Sequence, residues 1–113
     1  MGRYLQTDVK VLLAAVGSQK ASDPFNVAGL TYVCFQLVVS GGASLTVTFE
    51  ATADGTNWVS LLVTPTTSAT AVTTATASGV FTAHVAGLLQ VRLNVSAWSS
   101  GTVTGTVNGT TAP

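Results

Sequence analysis

Charge is what this chain has least of. Its 113 residues carry four basic and four acidic side chains, so 7% of them are charged and the formal net charge is zero. An ordinary soluble domain is about 25% charged. A folded chain of this size exposes roughly 5,800 Å², or about one formal charge per 700 Å². Nucleic-acid binding needs clustered Lys and Arg to displace counterions from phosphates. Arg3, Lys10, Lys20 and Arg92 are scattered, so no nucleic-acid partner is expected. Attraction to an anionic membrane is excluded on the same ground.

Other absences narrow the field. Cys34 is the single cysteine. It offers no internal disulfide and no metal cluster, and reads as a small buried hydrophobe. The longest apolar run, Val11 to Val16, is far below the about 20 residues that span a bilayer. Asp8 and Lys10 precede it, so it reads as a strand and not as a signal-peptide core. No membrane partner is expected. Gly2 lacks the Ser or Thr that myristoylation wants, because Gln6 holds that position. The hydrophobic share of 47% argues against disorder. The length suits one domain.

What is present is β-forming. Thr, Val, Ser and Gly dominate, and these favour strands and turns. In Leu45 to Ala51 the odd positions are apolar and the even ones polar, the period of a half-buried strand. Leu89, Val91, Leu93, Val95 and Ala97 likewise point one way, with Gln90, Arg92, Asn94 and Ser96 opposite. Tyr32 to Val39 is apolar on nearly both faces, which predicts a central strand covered on both sides. Ser40 to Ala43 and Ser99 to Gly101 read as hairpin turns, and Asp54-Gly55 as a third turn. Pro65 to Ala77 reads as a loop with one short strand around Val72.

A repeat organises the chain. Val27-Ala28-Gly29-Leu30 recurs as Val85-Ala86-Gly87-Leu88, a spacing of 58. The same offset carries Val33, Phe35, Leu37 and Val39 onto Val91, Leu93, Val95 and Ala97, then Leu45 onto Val103 and Phe49 onto Val107. Inward positions fall on inward positions. The expected fold class is all-β: a β-sandwich, jelly-roll or Greek-key like, built from two similar halves packed face to face. Residues 1–20 read as an N-terminal strand or docking arm, 21–109 as the sandwich and 110–113 as a short polar tail. Phe35, Leu37, Phe49, Trp58, Phe81, Val91 and Leu93 are the expected core.

No catalytic constellation emerges. His84 is the only histidine, and no Gly-x-Ser-x-Gly elbow accompanies the many serines. Glu50 and Asp54 are the nearest carboxylate pair, but turn chemistry accounts for Asp54. No acidic cluster offers calcium its six or more oxygens. No catalytic residue, cofactor or metal site is therefore assigned, and an enzyme is not expected. Trp58 and Trp98, with Tyr32, present a possible sugar-stacking platform. Asn94-Val95-Ser96 and Asn108-Gly109-Thr110 match the glycosylation pattern by composition alone.

Leu45 to Leu61, in which a strand ending Phe49-Glu50 leads through Asp54-Gly55 into Trp58, resembles small β-sandwich structural proteins of tailed bacteriophages. Ser78 to Phe81, Val85 to Leu88, Val91 to Val95 and Ser99 to Thr104 resemble their second half. The resemblance covers most of residues 27 to 107. It implies a virion protein made in the host cytoplasm: head decoration or cement, or a neck, tail or fibre module. It transfers no catalytic residues. The first expectation is a capsid decoration or cement protein that stabilises the head shell. Its partners would be the major capsid protein or other virion proteins, and copies of itself, with a trimer favoured. The alternative is a carbohydrate-binding or adhesive module of a tail fibre or neck. Tyr4, Leu5, Leu12 and Trp98 are the candidate interface residues.

Overall fold

A computed structural model describes residues 6–111. Eleven strands run in chain order: β1 (Lys10–Val16), β2 (Lys20–Ala21), β3 (Phe25–Asn26), β4 (Tyr32–Val39), β5 (Ser44–Thr52), β6 (Val59–Ser60), β7 (Thr64–Pro65), β8 (Thr74–Ala75), β9 (Gly79–His84), β10 (Gln90–Ser100) and β11 (Val103–Thr110). They form two sheets. The first has the order β1-β11-β4-β9-β7. The second has the order β2-β10-β5-β6, with β3 also on β10 and β8 also on β5. The fold is an all-β sandwich.

The alternation read from the sequence sets the core. Phe35, Leu37, Phe49, Val91 and Leu93 are each almost fully buried between the sheets. Phe49 lies 5.2 Å from Phe35 and 5.0 Å from Phe81, ring centre to ring centre. Such tilted pairs suit the aromatic quadrupole and contribute beyond their buried area.

The repeat is built in three dimensions, but not as two hairpins facing each other. β4 and β5 lie in different sheets, and so do β10 and β11. Ser40 to Ala43 is an arch between the sheets, held by Ala43 N–H donating to the Ser40 carbonyl at 3.2 Å. Each sheet takes one central strand from each half. Phe35 pairs with Val107 in the first sheet, and Leu93 pairs with Phe49 in the second. The offset of 58 converts one pair into the other. It also converts Val33↔Ala83 of β4 and β9 into Val91↔Phe25 of β10 and β3. The two Val-Ala-Gly-Leu corners match as well. Leu30 N–H donates to Val27 and Leu88 N–H to Val85, both at 2.9 Å, and Gly29 and Gly87 have φ of 86° and 89°. That backbone disfavours any residue with a Cβ, which explains the recurring glycine.

Several expectations are corrected. Of the strand and the docking arm read for residues 1–20, the strand is found over Lys10–Val16, which pairs with β11 and buries Leu13 in the core. Thr110 ends β11 opposite Tyr32, so it lies in the sheet and not in a polar tail. Ala97 turns outward because the register shifts between Val95 and Ala97. Trp58 is only half-buried and lies outside the core. β4 is a central strand, yet Tyr32 and Val38 on its outer face are 49% and 57% exposed.

Candidate functional site

The two outer faces of the sandwich differ in chemistry. On the second sheet, Glu50 and Arg92 stand opposite each other on β5 and β10. The Arg92 Nε–H donates to Glu50 Oε1 at 2.7 Å, and Asn94 Nδ2 donates to Glu50 Oε2 at 3.3 Å. The Arg92 guanidinium lies 4.2 Å over the Trp58 ring, a cation–π contact. Trp58 therefore covers part of this face. The Asp54 turn places it there. Asp54 Oδ1 accepts from the Thr56 and Asn57 N–H groups, each at 2.8 Å, and from the Thr52 hydroxyl at 2.9 Å. These bonds, the Asn57 backbone first, hold the Asp54 carboxyl well below the usual carboxylate range.

Along β4, β9 and β11 the outer face of the first sheet carries no such charges. Its register lays Val11, Thr106, Gln36 and Val80 in one row. Asn108, Cys34 and Thr82 form a second row, and Thr110, Tyr32 and His84 a third. No Asp, Glu, Lys or Arg stands among these positions. Tyr32 and His84 meet edge to face at 5.1 Å. A hollow of about 380 Å³ opens between Tyr32, Cys34, Thr82, Asn108 and Thr110, with Gln6 at its rim. Cys34 is only half-buried in its wall, and burial pushes its thiol up.

Of the candidate interface residues, Leu12 lies on the first sheet and Trp98 on the second. Tyr4 and Leu5 lie outside the described residues. Leu12 packs half-buried against the core. Trp98 is exposed near the Ser40 arch, where its Nε1–H donates to the Gly101 carbonyl at 2.9 Å. A hollow of about 330 Å³ beside it is lined by Ser44, Thr46 and Thr76 among others. The sugar platform of Trp58, Trp98 and Tyr32 is not assembled. Tyr32 faces outward on the first sheet. Trp58 and Trp98 sit at opposite ends of β5, against Arg92 and beside Leu45, on the order of 20 Å apart by strand rise. Among the described residues no three His, Cys, Asp or Glu side chains group as metal ligands. The sequence reading missed the hollow on β4, although the doubly apolar pattern of Tyr32 to Val39 was its signal.

No protein-family model matches the chain, and no curated protein sequence matches it. Solved structures do. The SPBc2 prophage-derived protein YomS is similar with a TM-score of 0.87 and 17% identity, over 98% of this chain and 97% of that one. The PBSX exported protein XepA is similar with a TM-score of 0.87 and 11% identity, over 96% of this chain and 38% of that one. This chain thus spans well under half of XepA. At these identities the likeness establishes the fold: the interlocked all-β sandwich described above is one that a prophage-derived protein adopts over its whole length.

Proposed function

We propose that this protein is a non-enzymatic structural component of a phage virion, and specifically a decoration or cement protein of the head shell. The observation that carries the reading is the whole-length likeness in fold to a prophage-derived protein. The lack of charge along β4, β9 and β11 on the outer face of the first sheet supports it. Burying a charge without a partner costs several kcal/mol. A face of Thr, Gln, Asn, Val and Tyr escapes that cost, and its polar groups still form hydrogen bonds across a contact. Self-association, with a trimer as the favoured state, belongs to the same reading. At about 25 cal/mol per Å², a preformed interface of standard size holds enough apolar area for stable attachment. The test is co-sedimentation with head shells that lack this chain. Saturable pelleting with the shells is expected. A protein that stays in the supernatant and remains monomeric at all concentrations defeats the reading.

One observation favours a second reading, a carbohydrate-binding module of a tail fibre or neck. Trp98 is 39% exposed and fixed by its bond to Gly101, beside a hollow bearing the hydroxyls of Ser44, Thr46 and Thr76. Glycan-array binding that is lost on Trp98→Ala supports it. An array without signal removes it.

A further inference from the structure

Two places in the chain put a glycine directly after an Asp or Asn: Asp54-Gly55 and Asn108-Gly109. Such pairs are reactive, because no side chain on the glycine hinders its nitrogen from attacking the preceding carboxyl or amide. Asn26, Asn57 and Asn94 are instead followed by Val, Trp and Val. In both glycine pairs a threonine hydroxyl takes the glycine N–H. Gly55 N–H donates to Thr52 Oγ1 at 3.0 Å, and Gly109 N–H donates to Thr7 Oγ1 at 2.9 Å. Asp54 is tied as well: Oδ1 accepts from the Thr56 and Asn57 N–H groups, and Oδ2 from the Asn57 side chain. Gly109 is tied from 102 residues away, by the segment that leads into β1.

The glycine at 109 is required by packing. It is buried in β11, and a Cβ there would lie 2.5 Å from Leu30 Cδ1 and 3.2 Å from the Tyr32 carbonyl oxygen. The threonine contact comes from a defect in the ladder. Gln6 bridges Thr110 and Lys10 pairs with Val107, so residues 7–9 face only 108 and 109 of β11. An extra residue of this kind disrupts the main-chain ladder. Thr7 N–H donates to the Gly109 carbonyl at 2.8 Å, and the Thr7 hydroxyl accepts the Gly109 N–H where a main-chain carbonyl would otherwise stand.

We propose that Asn108 is a deamidation site and that Thr7 gates it. The Gly109 nitrogen attacks Asn108 Cγ and gives up its proton. The new C–N bond closes a succinimide, and the bond from Cγ to the amide nitrogen breaks to release ammonia. Solvent water then adds to either ring carbonyl and breaks one C–N bond, which leaves aspartate or isoaspartate at 108. Attack requires the nitrogen to leave Thr7, so the reaction runs through local opening of residues 7–9. Either product puts a negative charge into the row of Asn108, Cys34 and Thr82, which has none. Isoaspartate also lengthens the main chain of β11 where it lies between β1 and β4. This chemistry is independent of the assembly the chain enters.

Incubation of the full chain at mildly alkaline pH, followed by peptide mapping with mass spectrometry, tests the gate. Product is expected at Asn108 ahead of Asn26, Asn57, Asn94 and Asp54. Thr7→Val keeps the side-chain shape and removes the acceptor. It should speed the reaction at 108 on the order of tenfold, the effect of losing one hydrogen bond to a buried group. Thr7→Ser should react near the wild-type rate. Val47→Ala, which weakens the core on the other sheet, should also leave the rate near wild type. Equal rates in wild type and Thr7→Val overturn the proposal. So does a Thr7→Ser as fast as Thr7→Val, a Val47→Ala as fast as Thr7→Val, or product mainly at another residue. If Thr7→Val does not fold, the wild type decides. Deamidation and hydrogen exchange of the Gly109 amide then share one opening. The slowing of deamidation relative to a free peptide of residues 104–111 should match the protection of that amide within about tenfold. A mismatch of several orders of magnitude overturns the gate.

Discussion

Phe35 and Leu93 occupy equivalent places in opposite sheets. Phe35 pairs with Val107 and Leu93 with Phe49, and each pair is the other moved by 58 residues. Each half of the chain thus contributes one central strand to each sheet. Neither half has a sheet of its own to pack, so the halves form their core only together.

That equivalence makes a quantitative prediction at the corners. Gly29 and Gly87 have nearly the same positive φ, and a Cβ at either would meet nothing within 4 Å. The cost of an alanine there is conformational alone. Gly29→Ala and Gly87→Ala should each destabilise by about 1–2 kcal/mol, and by equal amounts. Urea denaturation of the two variants checks this. Costs that differ severalfold would mean that the corners are not equivalent.

Phe49 sits between Phe35 and Phe81 with no exposed surface. Phe49→Ala should cost about 3–5 kcal/mol, transfer and cavity together. An unchanged melting temperature would place the core elsewhere.

Gly105 tests how tightly the sheets approach. A Cβ there would overlap Leu93 Cδ1 and lie 3.2 Å from Leu37 Cδ2. Overpacking of this kind costs about 1–3 kcal/mol. Gly105→Ala should therefore lower the midpoint of unfolding, and adding Leu93→Val should recover part of the loss. Gly41→Ala, where a Cβ would meet nothing within 4 Å and φ is not positive, should be nearly silent.

The Asp54 turn gives a pH dependence. Its carboxyl is held below the ordinary value in the folded state by the Asn57 and Thr56 N–H groups and by the Asn57 and Thr52 side chains. A depressed folded value adds stability that is present above the unfolded pKa of about 3.9. That contribution is lost as pH falls below it, toward the folded value. Melting temperatures of wild type and Asp54→Asn should differ at neutral pH, and the gap should start to narrow only below about pH 4 and keep narrowing as the pH is lowered further. A gap that stays constant with pH would remove the turn's charge from the account.

Alternation made the core legible, because it states which side chains face inward. It does not state from which sheet they face inward. An arch at Ser40 to Ala43 and a hairpin satisfy the same pattern, and this is why the crossing of β4 and β5 was not read. Trp58 was misplaced for a related reason. β6 has two residues, too few for a period to show, and only the distant Arg92 fixes the ring on the outside. The register shift at Ala97 is equally silent in the sequence. The outer face of β4 was half legible. Tyr32 to Val39 announced two apolar faces, and within the described residues the second face is left open.

The scarcity of charge takes on a location. Glu50 and Arg92 pair on one outer face, Asp54 holds a turn, and the outward positions of β4, β9 and β11 on the other face have none. Electron cryomicroscopy of purified virions tests the resulting account most directly. It should find this chain on the head shell, with the outer face of its first sheet against a neighbouring virion protein. Virions without the chain, or with that face open to solvent, would contradict it.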